Sequence, residues 1–288
     1  MQKHTDFEQL LKEKFNGLSI AQKKVAQYVI EYLERSAFQT AVQIAREAEV
    51  SETTVIRLSY ALGFSGFSDM QQMIREHFLQ GTNIGSTQQD IDIQQPSTHT
   101  NPFVRALEQE ISILQRTLAN LNEAELHRAV DTLYDAEHVL IIGHRGSYSA
   151  ASWISFMLGM MRENVHLCPS GGQSYEKLFI TPSNSVVLVI SFPRYSRDSV
   201  HLAETAKNLG STIIAVTDRL LSPVGRLADI TLTTEINTDV ESGAASMSSV
   251  ISLLHLLALG VIEKGQEQVK TRLKQLEQIY HKQGVFIE

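Results

Sequence analysis

Residues 41–62 read AVQIAREAEVSETTVIRLSYAL, and their apolar spacing divides them into two short helices about a turn. Ile44, Ala45 and Ala48 line one helix and Val55 and Leu58 the other, with Val50 plugging the turn between them. The small side chain of Ala45 permits a close crossing. Ser51 stands at the N-cap of the second helix, with Thr54 where a capping box would carry Glu or Gln. Glu52, Thr53 and Thr54 then open that helix on an exposed turn, and Arg57 follows one turn later. This is the pattern of a helix-turn-helix, in which the N-terminal positions of the second helix reach base edges in the major groove. Threonines suit a phosphate or a thymine methyl, and Arg57 suits bidentate pairing with guanine. Lys23 and Lys24, with Arg46 and Arg75, would supply phosphate contacts, while Glu47, Glu49 and Glu52 would oppose them. The alternative reading of this face is a three-helix module that uses it for protein contacts.

Outward from this stretch the helical pattern continues. Val25, Tyr28, Val29, Tyr32 and Leu33 share a helical face behind a cap at Ser19, and a further helix fits Ser68–Leu79. Residues 1–80 are therefore read as an all-α domain of about five helices. Residues 81–101, GTNIGSTQQDIDIQQPSTHTN, hold no Lys or Arg and read as a linker. From residue 102 to 288 helices alternate with short apolar runs. Helices are expected at Pro102–Leu121, Glu123–Tyr134, Ser149–Met161 and Ser199–Leu209, with the long helix Ser246–Glu263 last. Strands are expected at His138–Ile142, Asn164–Leu167, Ser185–Ile190, Thr212–Val216 and Ile230–Thr234. The fold class is thus α followed by α/β, a helical domain and then a parallel sheet sandwiched between helices.

The 288 residues, 43% hydrophobic and 20% charged, exclude a mainly disordered chain. The net charge of −7 is uneven: residues 1–80 hold nine basic and ten acidic side chains, the remainder 16 and 22. A nearly neutral first domain tolerates a local basic face but supplies no strong field for nucleic acid. The apolar run Val250–Ile262 is shorter than the ~18–20 residues a bilayer requires, so it reads as a buried helix and no membrane partner is expected. With one cysteine, Cys168, and no apolar leader, the chain is expected in the cytoplasm. Ten histidines fall in no metal-binding spacing and no nucleophile elbow surrounds a serine, so no metal, cofactor or hydrolytic residue is assigned.

Two strand-to-helix turns carry the candidate ligand chemistry. The first is Gly143-His144-Arg145-Gly146-Ser147, whose glycines, helix N-terminus and Ser147 hydroxyl suit an anion. It lacks the third glycine of a dinucleotide fingerprint. The second, Ser191-Phe192-Pro193-Arg194-Tyr195-Ser196-Arg197-Asp198, adds hydroxyls and guanidiniums. His144, Arg145, Ser147, Ser191, Arg194 and Ser196 are the candidate ligand residues.

The run VSETTVIRLSYALGFSGFSDMQ, residues 50–71, resembles the helix-turn-helix signature of the RpiR family of bacterial transcriptional regulators. That family has a V-S-x-x-T-V-x-R core followed by L-G-F-x-G-F. Val50, Ser51, Thr54, Val55, Arg57, Leu62, Gly63, Phe64, Gly66 and Phe67 all fit. The two later turns resemble the sugar isomerase (SIS) domain, which binds phosphosugars and serves these regulators as effector domain. Its second loop reads S-x-S-G-x-[ST]; Ser191 and Ser196 match the outer hydroxyls, Ser147 matches the serine of the first loop, and Pro193 and Arg194 replace the inner Ser-Gly pair. Either Arg194 replaces the missing donors, or the pocket favours a different anion such as a sugar acid, or the loop is closed and the domain is a scaffold. Glu241-Ser242-Gly243-Ala244-Ala245-Ser246-Met247 resembles an E-x-G-x-A-S-T stretch whose glutamate serves proton transfer in aldose–ketose isomerases.

The resemblance implies a DNA-binding regulator of carbohydrate metabolism, a homodimer or homotetramer on double-stranded operator DNA. A phosphorylated sugar or sugar acid would be its effector, with Glu241 accepting hydrogen bonds from sugar hydroxyls. The alternative is a phosphosugar isomerase using Glu241 as general base.

Overall fold

A computed structural model describes residues 7–81, 101–169, 174–179, 182, 185–236 and 246–287. The chain forms two compact units, Met1–Asp92 and Ile93–Glu288. Among the described residues no single helix is long and apolar enough to cross a membrane.

The described residues of the first unit form six α-helices and a short 3-10 turn (Phe15–Gly17): α1 (Phe7–Lys14), α2 (Ile20–Glu31), α3 (Leu33–Phe38), α4 (Ala41–Glu47), α5 (Glu52–Leu62) and α6 (Phe67–Gly81). Capping boxes fix the starts of α2 and α4, through Ser19 with Gln22 and Thr40 with Gln43. The helix expected to run through Leu33 breaks instead at Tyr32 (φ −124°, ψ 52°), so six helices stand where about five were read. The core is Phe7, Leu11, Val25, Val29, Ile44, Val55, Leu58, Met70 and Ile74, all essentially inaccessible.

The second unit begins with α7 (Pro102–Ala119) and α8 (Glu123–Asp135). Then come β1 (Val139–Gly143), α9 (Tyr148–Met161), β2 (Val165–Leu167), α10 (Ser174–Phe179), β3 (Val186–Ile190) and α11 (Arg197–Asn208). Strands β4 (Thr212–Thr217) and β5 (Ile230–Thr233) and helices α12 (Ser248–Lys264) and α13 (Gln266–Gln283) complete it. The long apolar helix is not the last, because α13 follows it; α10 was likewise not foreseen.

All strand pairs are parallel, in the order β2-β1-β3-β4-β5. Alternation along each strand sends side chains to two separate cores. Val139, Ile141, Val186, Leu188, Ile214 and Ile230 pack beneath α8, α9 and α12, whereas Leu140, Ile142, Val187, Val189 and Ile213 pack beneath α11 with Cys168 and Leu178. Both faces are covered, as continuous apolar strands require.

Candidate functional site

Two regions hold the expected residues, one in each unit. In the first, the turn between α4 and α5 is closed by Val50 N–H donating to Ala45 C=O at 2.9 Å, with Glu49 left-handed at φ +52°. Val50 is half-buried rather than a core residue, and Ala48, Ile44 and Ala45 carry the packing. Ser51 has the extended backbone of an N-cap, but its hydroxyl does not cap the helix; it lies 2.9 Å from the Thr54 hydroxyl. The opening amides of α5 are thereby left without a side-chain acceptor from Ser51. Ser51, Glu52, Thr53 and Arg57 are exposed and Thr54 half-exposed, while Val55, Leu58, Ser59 and Leu62 on the opposite face are buried. Arg57 has no side-chain partner among the described residues.

The surroundings brace this helix. Gln22 Nε2 donates to the Arg57 carbonyl at 3.2 Å, which sets the start of α2 beside the middle of α5. Lys24, two residues on, is exposed, and Lys23 stacks its ammonium over Phe15 at 5.6 Å. Lys14, not singled out from the sequence, donates to the Leu62 carbonyl at 3.0 Å and so places a cation at the negative end of α5. Gly63, at φ +96°, closes the same end, with Phe64 N–H donating to Ser59 C=O at 2.9 Å. Phe64 then meets Phe7 at 6.5 Å. Arg75, expected among the phosphate contacts, instead binds the Ala37 carbonyl at 2.7 Å and covers Phe38.

In the second unit the chain steps from β1 to one side for β2 and then to the other for β3, so the topological switch point lies between β1 and β3. Ligands of open parallel sheets bind at the carboxyl ends of the strands flanking such a point. Gly143 and Ile190, the last residues of those strands, are register partners. The turns 144–147 and 191–196 therefore leave neighbouring strands side by side, bringing together His144, Arg145, Ser147, Ser191, Arg194 and Ser196. Glu241 lies outside the described residues.

The helices that follow have open starts. Ser147 and Ser196 are the N-cap residues of α9 and α11, yet neither side chain caps its helix, in contrast to Asn101 and Asn122 at α7 and α8. Ser147 and Ser191 are 7% and 2% exposed, and neither hydroxyl has a hydrogen-bond partner among the described residues. Neither oxygen is fully enclosed, so both hydroxyls remain accessible at the carboxyl ends of the strands. Buried His144 is fixed by its Nδ1, 2.8 Å from Ser199 Oγ in the first turn of α11.

Gly143 serves packing rather than anion approach: a Cβ there would stand 2.7 Å from the Ala151 Cβ and 2.8 Å from the Ser147 carbonyl oxygen. Arg194, at the position of the SIS glycine, has the left-handed backbone that glycine favours (φ +68°), and Arg145 in the first loop is left-handed too (φ +54°). Both arginines are exposed. Tyr195, missed in the sequence reading, ties the second loop to Asp218 Oδ1 at 2.7 Å, and Thr217 donates to the same oxygen at 3.1 Å. Burial and the Asp218 carboxylate push the Tyr195 phenol well above its ordinary range. The position of Thr217-Asp218 at the carboxyl end of β4 is the sequence signal that could have found this contact. Among the described residues no cluster of His, Cys, Asp and Glu could hold a metal ion.

Known proteins share both halves of this arrangement. The helix-turn-helix domain of the rpiR family matches residues 5–81, and the SIS domain matches residues 132–262. The chain belongs to the RpiR family. An HTH-type transcriptional regulator of Clostridium perfringens is 26% identical over 272 residues, 93% of this chain and 96% of the relative. Among solved structures, the sugar isomerase domain of an RpiR transcription factor from Sphaerobacter thermophilus has a TM-score of 0.59 at 22% identity, covering 62% of this chain and 98% of that one. The NanR protein of Vibrio vulnificus, complexed with ManNAc-6P, has a TM-score of 0.57 at 18% identity and covers 98% and 100%. At these identities the two structures share the fold with this RpiR-family chain.

Proposed function

We propose that this RpiR-family protein is a DNA-binding transcriptional regulator of carbohydrate metabolism, not an enzyme, working in the cytoplasm and controlled by a phosphorylated sugar at the β1/β3 switch point. Residues 1–80 are the DNA-binding domain, 81–101 the linker and 102–288 the effector domain. The observation that carries the reading is the opening of α5: an exposed, uncapped helix start with an unpartnered Arg57, on a helix whose other face is buried. Ser51, Glu52, Thr53, Thr54 and Arg57 form the reading surface, flanked by Lys23 and Lys24. An isomerase makes no use of such a surface.

The effector side rests on the unpartnered Ser147 and Ser191 hydroxyls and the open starts of α9 and α11, which together offer neutral donors and positive dipole ends to a phosphate. The likeness in fold to NanR, complexed with ManNAc-6P, supports the same class of ligand. Ser196 completes the hydroxyl set, and Glu241, which lies outside the described residues, would accept hydrogen bonds from the sugar hydroxyls as the family resemblance implies.

The regulator acts as a homodimer, or as a tetramer built from it, since a palindromic site needs two reading helices about one DNA turn apart. The surface for this is α7. Val104, Leu107, Ile111, Leu114 and Leu118 recur at alternating intervals of three and four, the spacing of a coiled-coil seam, and Leu107 and Leu118 are 64% and 74% exposed. The other face of α7 grips the effector edge of the sheet through Thr117 with Thr234 at 2.8 Å and Arg116 with Glu235 at 2.8 Å. One helix thus joins the seam to the edge where ligand binds, a route by which the bound and free states would differ in dimer geometry.

The test uses the full chain and a duplex selected from a randomised pool. A phosphorylated sugar from a screening panel should change duplex affinity in the wild type and not in Ser147→Ala/Ser191→Ala, which should keep the unliganded affinity. A panel without effect on wild type, or an effect retained by the double variant, refutes the effector site.

A further inference from the structure

The switch point carries more positive charge than one phosphate uses. Ser147, Ser191 and two helix starts already provide a neutral cradle of the kind that holds phosphates without any cation. Beside it stand Arg145 and Arg194, one in each loop, exposed and without a partner among the described residues. Arg197, also exposed and unpartnered there, opens α11, where a cation works against the helix dipole. Asp198 offsets one of these charges, and Asp218 is engaged by Tyr195 and Thr217. The excess is local, since residues 81–288 as a whole hold 16 basic against 22 acidic side chains.

The backbone singles out the same two arginines. Among the described residues only Glu49, Arg145, Asn164 and Arg194 are left-handed without being glycine. A left-handed backbone is unfavourable for any side chain with a Cβ, and residues held that way concentrate at ligand sites. Two guanidiniums held so, on loops leaving register-paired strands, present planar donors suited to a carboxylate.

We propose that the effector is a doubly anionic sugar derivative, a phosphorylated sugar acid. Its phosphate lies on the serine hydroxyls and helix starts, and its carboxylate is held by Arg145 and Arg194. This rests on reading that edge as the effector site, and it assigns the two arginines to specificity rather than to phosphate binding. Arg194 then stands in for the inner Ser-Gly pair of the SIS loop by reading a second group on the ligand.

The probes are 6-phosphogluconate and glucitol 6-phosphate, which share chain length and stereochemistry and differ only in a carboxylate against a hydroxymethyl group. Calorimetric titration of the full chain should show 6-phosphogluconate binding at least about tenfold tighter, or about 1.4 kcal/mol. Arg145→Gln and Arg194→Gln should each shrink that preference while leaving glucitol 6-phosphate affinity within about twofold. Equal affinities in the wild type, or a preference that survives both substitutions, overturn the carboxylate subsite and leave the phosphate site standing. Binding of neither probe overturns the effector reading itself and this inference with it.

Discussion

Tyr195 donates a hydrogen bond to Asp218 Oδ1 at 2.7 Å, joining the loop after β3 to the loop after β4. The contact anchors the segment that carries Arg194 and Ser196, and the same Asp218 oxygen also accepts from the Thr217 hydroxyl at 3.1 Å. Tyr195→Phe should lower unfolding free energy by about 0.5–1.5 kcal/mol, measured by urea titration near neutral pH. The phenol is pushed up in the folded state, so the folded protein keeps its proton where the unfolded chain loses it. That stabilisation is complete below the ordinary tyrosine value and declines as pH rises past it. Wild type should therefore lose more stability than Tyr195→Phe between about pH 9 and 11.

Gly143→Ala tests the packing of β1 against α9. The added methyl would lie within 3 Å of both Ala151 Cβ and the Ser147 carbonyl, and neither is the free end of a flexible chain. A loss of about 1–3 kcal/mol is expected, read as a lower melting temperature with the helix-turn-helix unit's own signal unaltered.

Glu49→Gly should do the reverse in the first unit. Glu49 is left-handed at the turn before α5 (φ +52°) and is exposed. Relieving it should stabilise that unit by about 0.5–1 kcal/mol, seen as a higher urea midpoint.

The seam on α7 predicts the assembly state. Leu107→Glu with Ile111→Glu places charges on two exposed seam positions and should convert the dimer to a folded monomer in sedimentation velocity. Unchanged sedimentation would move the interface elsewhere.

Much of this molecule was legible from its residues because its signals are local. The β strands are short apolar runs, and the turn before α5 announces itself through Val50 and Ser51. Gly63 closes α5 in the left-handed conformation that the Gly-Phe-Ser-Gly-Phe stretch implies. What escaped depends on neighbours remote in sequence. The polar helix α13 buries fully only Val269 among its described side chains, so its apolar period is faint. The break at Tyr32 follows no proline or glycine. The adjacency of the two ligand loops arises from strand order, which no run of residues encodes by itself. The Ser51 hydroxyl meets Thr54 rather than a backbone amide, and only coordinates distinguish those partners. Arg75 and Lys14 look like surface cations in sequence but are drawn onto the carbonyls of Ala37 and Leu62.

The most direct measurement is the affinity of full-length wild type and Arg57→Ala for a duplex selected by the wild-type protein, compared with a scrambled duplex at the same salt. Arg57→Ala should lose about 1–3 kcal/mol on the selected duplex and change little on the scrambled one. Equal affinity of both proteins for the selected duplex, with Thr53→Ala equally silent, would contradict the assignment of α5 as the helix that reads DNA.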